Sequence, residues 1–125
     1  MKPTLVPLIA IVGLAGCATT FSSQIRNDRL ALLGQPTRVG PLIVTPIKVV
    51  EDSRCPMNAR CIWAGRAIVN TRVDGSGWRE TTNLELGKTH YTHGMSIRLS
   101  SVQPEEMAGQ QGPSQPYLFG FEGGR

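Results

Sequence analysis

Histidine, cysteine and aromatic side chains are scarce in this chain of 125 residues, which holds two His, three Cys, two Trp, two Tyr and three Phe. Both histidines fall at His90 and His93, and neither has an acid within four residues in sequence. That leaves little from which to assemble a nucleophile, a base and an orienting group, so no enzyme and no cofactor are expected. Long hydrophobic runs are missing too. The longest, Leu5–Leu14, is broken by Pro7 and Gly13, and as helix it would rise about 15 Å, half of a bilayer core. The net charge of +4 is weak and evenly spread, which argues against a nucleic-acid partner. The length supports one domain and excludes a two-domain enzyme carrying its own cofactor domain.

What is present begins with an address. Met1-Lys2 gives a positive start and Leu5–Leu14 the apolar core of a removable export signal. The run Leu14-Ala15-Gly16-Cys17 resembles the lipobox of bacterial lipoproteins. The resemblance implies cleavage between Gly16 and Cys17, a diacylglyceryl thioether on Cys17, and a third acyl chain on the new amino group. Two or more chains anchor durably, at about 0.8 kcal/mol per buried methylene. Ala18 stands where inner-membrane retention favours aspartate, so the resemblance places the product on the outer membrane, facing the periplasm. The competing reading is an ordinary secretory signal with a chance cysteine.

With Cys17 carrying lipid, Cys55 and Cys61 are left as a pair in an oxidising compartment, and a structural disulfide is expected. A metal clip or a redox pair are the alternatives, but CxxC spacing is absent and no histidine lies nearby.

The expected domains are a signal peptide over 1–16, a tether with a short helix over 17–36, and one β-domain over 37–125. The helix is drawn over Gln24–Gly34, with Gly34 as its stop. Thr37–Val39 and Leu42–Glu51 read as strands around a turn at Gly40-Pro41, with Pro46 demanding an edge position or a bulge. Asp74-Gly75-Ser76-Gly77 reads as a hairpin turn that sets Val73 opposite Trp78 and Arg72 opposite Arg79, with apolar side chains sorted to one face. Gly94–Val102 alternates as a strand, 103–116 reads as a mobile loop, and Tyr117, Phe119 and Phe121 alternate in a closing strand. About six short strands argue for an all-β fold, a small antiparallel sandwich or partly open barrel.

The segment Glu51-Asp52-Ser53-Arg54-Cys55-Pro56, followed by Cys61-Ile62-Trp63-Ala64-Gly65, resembles the signature of a group of small exported bacterial proteins. The likeness covers Thr37–Leu99 and implies a compact β-domain; it implies no activity. Physically the motif reads as a pinned strand connection. Asp52 and Ser53 turn the backbone, Arg54 pairs with Glu51 or Asp52, Trp63 packs beside the disulfide, and Gly65 permits a close approach.

Three surfaces are candidates for function. Arginine outnumbers lysine ten to three, and Arg66, Arg72 and Arg79 share the expected polar face of the hairpin, suited to phosphate or carboxylate on an anionic envelope polymer or a periplasmic protein. The disulfide loop, with Arg54 and Arg60 projecting, could bind an exported protease as an inhibitor does. His90, His93 and Met95 form a weak copper set, because three residues apart in an extended segment puts the two rings on opposite faces unless the chain bends at Gly94. The expected function is that of a non-catalytic, membrane-anchored envelope lipoprotein.

Overall fold

Alternation of apolar and polar residues yields eight strands: β1 (Leu30–Leu32), β2 (Thr37–Val39), β3 (Leu42–Asp52), β4 (Ala67–Gly75), β5 (Trp78–Glu85), β6 (Thr89–Thr92), β7 (Met95–Gln103) and β8 (Leu118–Gly123). A computed structural model describes residues 3–4, 7, 9–13, 16, 24–106, 108–109 and 115–124. The strands form two four-stranded antiparallel sheets, ordered β2-β3-β4-β5 and β1-β8-β7-β6. The all-β sandwich implied by the sequence is therefore the fold.

The core is made where the inward faces meet. Val44, Val69, Val73 and Leu84 come from one sheet and Ile97, Leu99, Phe119 and Phe121 from the other, all buried. Each such side chain contributes about 1.5–3 kcal/mol by leaving water. In β4 the buried positions are the odd-numbered Ala67, Val69, Thr71 and Val73. That is the period of two expected for a strand with one wet face.

Pro46 lies in β3, between β2 and β4, and the β3–β4 register shifts between Pro46 and Lys48. A bulge thus accommodates the missing donor, and the freed Pro46 carbonyl accepts from the Gly34 amide at 2.7 Å.

Three expectations need correction. Gln24–Gly34 is no helix: Leu30–Leu32 pairs with β8, Arg26 bridges Thr37, and Ala31 is fully buried. The sandwich therefore starts before Thr37, at Leu30. The β4–β5 hairpin turns on two residues, Ser76-Gly77, and sets Gly75 opposite Trp78 and Arg72 opposite Thr81. That register is two residues from the expected one, which keeps every side chain on its face while changing its neighbour. The ring of Trp78 lies over Gly75, where any Cβ would overlap it. Finally, β6 forms over Thr89–Thr92, where no strand was expected, because its own residues bury little and its pairing with β7 stabilises it.

The loop expected over 103–116 is described only in part; residues 107 and 110–114 lie outside the described residues. Its first stretch is tied down, with the Met57 amide donating to the Glu106 carbonyl and Asn58 exchanging hydrogen bonds with Ala108.

Candidate functional site

The two ends of the sandwich are closed by different chemistry. At one end β3 finishes at Asp52, paired to Ala67 at the start of β4, and Asp52 points inward like Ala67. Its carboxylate takes two hydrogen bonds from Arg54, from Nε at 2.7 Å and Nη2 at 2.9 Å, and a third from the Tyr117 hydroxyl at 2.9 Å. Arg54 also donates to the carbonyls of Val102 (2.9 Å) and Pro104 (3.0 Å) and lies 3.8 Å from Glu106. Its side chain is only 13% exposed and that of Asp52 8%. Four of the five guanidinium N–H groups thus have partners, and it is this that makes a nearly buried bidentate pair favourable.

The electrostatics follow. Burial works against the charge of Asp52, yet hydrogen bonds from Arg54, Glu106 and Tyr117 outweigh it and hold the carboxyl at about 2. Burial and the bond to Asp52 push the Tyr117 hydroxyl up to about 12. The hydrogen bond it shares with Asp52, aided by burial, raises Glu106 above the usual carboxylate range. The expectation that Arg54 pairs with Asp52 holds, but Arg54 does not project as a ligand-binding group. It staples the β3–β4 connection to the end of β7.

From this pinned base hangs the connection between β3 and β4. Ser53 mates with Arg66 through its amide and its hydroxyl, and the Cys55 amide donates to the Ala64 carbonyl. Gly65 has φ 72°, and a Cβ there would overlap the Ser53 carbonyl, so the close approach expected of this glycine is real. Cys55 and Cys61 are disulfide-bonded, with Cα atoms 5.9 Å apart. Trp63 does not pack beside the disulfide. It is 81% exposed, with Ile62 at 95% and Met57 at 67%. The hydrogen bonds and the disulfide already fix the loop backbone, and the inward space is filled by the Arg54 network, so the indole is left outside. Arg60 is exposed on the same loop and makes no ion pair among the described residues.

The arginine face is brought together as expected, but its members are engaged. Arg66 pairs with Glu51, and Arg72 and Arg79 both pair with Asp74. With one acid serving two arginines, this face keeps one positive charge in excess, although each of its guanidinium groups already has a carboxylate partner. Exposed pairs of this kind contribute little to stability.

At the opposite end, Gly94 does bend the chain, with φ 74°, and His93 itself has φ 49°. The bend lays the His93 ring on Trp78, centroids 3.8 Å apart and planes 9° from parallel. His90 Nε2 lies 3.5 Å from Glu80 Oε1. The hydrogen bond to Thr92 lowers the Glu80 carboxyl more than burial raises it, and His90 adds to the lowering. Met95 packs against the core. Among the described residues no group of three or more His, Cys, Asp or Glu is arranged to hold a metal ion. Sequence reading missed Glu80 as a partner for the histidines. The available signal was an acid on the apolar face of a strand, which must find a polar neighbour from the facing sheet.

Leu14, Ala15 and Cys17 of the lipobox-like run lie outside the described residues; Gly16 is exposed. No helix among the described residues is long and apolar enough to cross a membrane. Comparison with family models, with curated proteins and with solved structures gives no match for this chain.

Proposed function

We propose that this chain is an envelope lipoprotein, held through lipid on Cys17 at the periplasmic face of the outer membrane, whose sandwich is a non-catalytic binding module. The observation that carries the reading is the exposed Met57, Ile62 and Trp63 on a disulfide-closed loop. Three large apolar side chains held in water by a rigid base are costly for a monomer and ordinary for a contact surface. The Asp52–Arg54–Tyr117 network supports a binding role over a catalytic one, since each of its polar groups is already engaged inside the fold. Ile9, Ile11 and Val12 of the apolar N-terminal run are exposed and join no core, which suits a segment that is removed.

Two measurements test the reading. Intact-mass spectrometry of the processed product should give an N-terminal Cys17 carrying diacylglyceryl and acyl mass; a bare thiol overturns the anchor. Cross-linking in intact cells should capture envelope components that vanish in a Met57→Ser, Ile62→Ser, Trp63→Ser variant. Capture unchanged by the three substitutions overturns the assignment of the surface.

A further inference from the structure

We infer that the Met57–Trp63 loop docks into the headgroup boundary of the same membrane that holds the anchor, so that the sandwich stands with its disulfide-bearing end on the lipid. This rests on the anchor proposed above. The argument is one of chain direction. β2 is antiparallel to β3, with Thr37 opposite Val44, and β3 runs from there toward Asp52 and the loop. Arg26 bridges Thr37 in parallel, its amide bonded to the Pro36 carbonyl and its carbonyl to the Arg38 amide. The residues before Arg26 therefore approach from the side toward which β3 runs. Gln24 and Ile25 thus lead back toward the end that carries the loop.

Length agrees. Seven residues take the chain from Cys17 to Gln24, a reach of at most about 25 Å. From Val44 to Asp52, eight residues of bulged strand extend about 25 Å. A lipid on Cys17 can thus reach the level of Trp63; the end where Trp78 and His93 stack, two residues beyond Val44, also lies within that span, so chain direction and not length selects the loop end.

The chemistry of the loop fits the boundary between headgroups and acyl chains. Trp prefers that depth, and Ile62 and Met57 gain by leaving water there. Charge does not direct the contact. Arg54 is consumed by Asp52 and Arg66 by Glu51, which leaves Arg60 as the one exposed cation of the loop without an ion pair among the described residues, too little charge to direct binding. The contact is apolar and insensitive to salt.

Reconstitution of the full chain into vesicles of phosphatidylethanolamine and phosphatidylglycerol with brominated acyl chains tests this. Trp63 is one of two tryptophans, so the wild-type protein should lose about half of its tryptophan emission, and the Trp63→Phe variant under about a tenth. The loss should be the same at low and high salt. Equal quenching in both proteins overturns the inference, as does quenching abolished by salt. A photo-cross-linker at position 62 that attaches to an envelope protein in cells, and not to phospholipid, overturns it in favour of a protein partner. The mass of the N-terminus separates the two readings. A lipidated but unquenched chain sinks the docking alone, whereas an unlipidated chain quenched by added vesicles sinks the anchor alone.

Discussion

The two tryptophans mark two ends of one sandwich that are closed in opposite ways. Trp78 lies inside the rim, over Gly75 and stacked on His93, so an aromatic lid seals that end between the two sheets. Trp63 lies outside the other rim, and the inner space there is filled by an ion pair with its hydrogen bonds. An aromatic lid needs only a partner ring across the gap. An ionic plug must place several polar groups at once, and once placed it leaves the apolar residues of its own loop with nowhere to go. The end held by charge is consequently the end that shows grease to solvent.

The largest effect should come from pulling the plug. Arg54→Met leaves Asp52 charged, buried and short of two hydrogen bonds, and should lower stability by about 3–5 kcal/mol. The same change at Arg72, on the exposed hairpin face, should cost less than about 1 kcal/mol, because its partner Asp74 keeps Arg79. Urea unfolding midpoints measure both. Comparable losses would mean that the two arginine environments do not differ as their burial says.

Next in size is the exchange of roles between the tryptophans. Trp78→Ala opens the lid and should cost about 2–4 kcal/mol, while Trp63→Ala should change stability by no more than about 0.5 kcal/mol. Near-ultraviolet circular dichroism sharpens the test, since the stacked indole sits in a fixed asymmetric environment and the exposed one does not. Removing Trp78 should erase most of the signal.

How far each end was legible in the sequence follows from the same contrast. Leu42–Asp52 and Met95–Gln103 were legible to within a residue at each end, and the hairpin strand Ala67–Gly75 in its sorting of faces, because period two is a local property. β1 and β6 were not visible. Their residues carry little pattern, and their stability comes from partners far along the chain, β8 and β7. The register of the hairpin escaped by two residues for a related reason, since Asp74-Gly75-Ser76-Gly77 offers two turns that sort the faces identically. The disulfide and the Asp52–Arg54 pair were legible because their members are neighbours in sequence. Tyr117 as the third member, Glu80 beside His90, and the exposure of Trp63 were not. Each depends on what the facing sheet brings across, and an indole next to a disulfide gives no sign of which side of the rim it occupies.

Titration is the mildest way to separate the two ends, because it leaves every atom of the fold in place. The Asp52 carboxyl lies at about 2, below its ordinary 3.8, so its contribution is complete above pH 3.8 and drains away as pH falls toward 2. The Tyr117 hydroxyl, raised from 10.0 to about 12, contributes fully below pH 10 and loses its share as pH climbs toward 12. Both limbs belong to the plugged end. At the aromatic end the lowered Glu80 adds only to the acid limb. Tyr117→Phe should therefore flatten the fall in stability between pH 10 and 12 relative to the wild-type protein. An acid limb should survive, because the Arg54 bonds that depress Asp52 are still made. Unfolding midpoints collected from pH 2 to 12 on the two proteins give the difference directly. If their curves run parallel above pH 10, the Tyr117 hydroxyl is not bonded to Asp52, and the end under Trp63 is held by Arg54 alone.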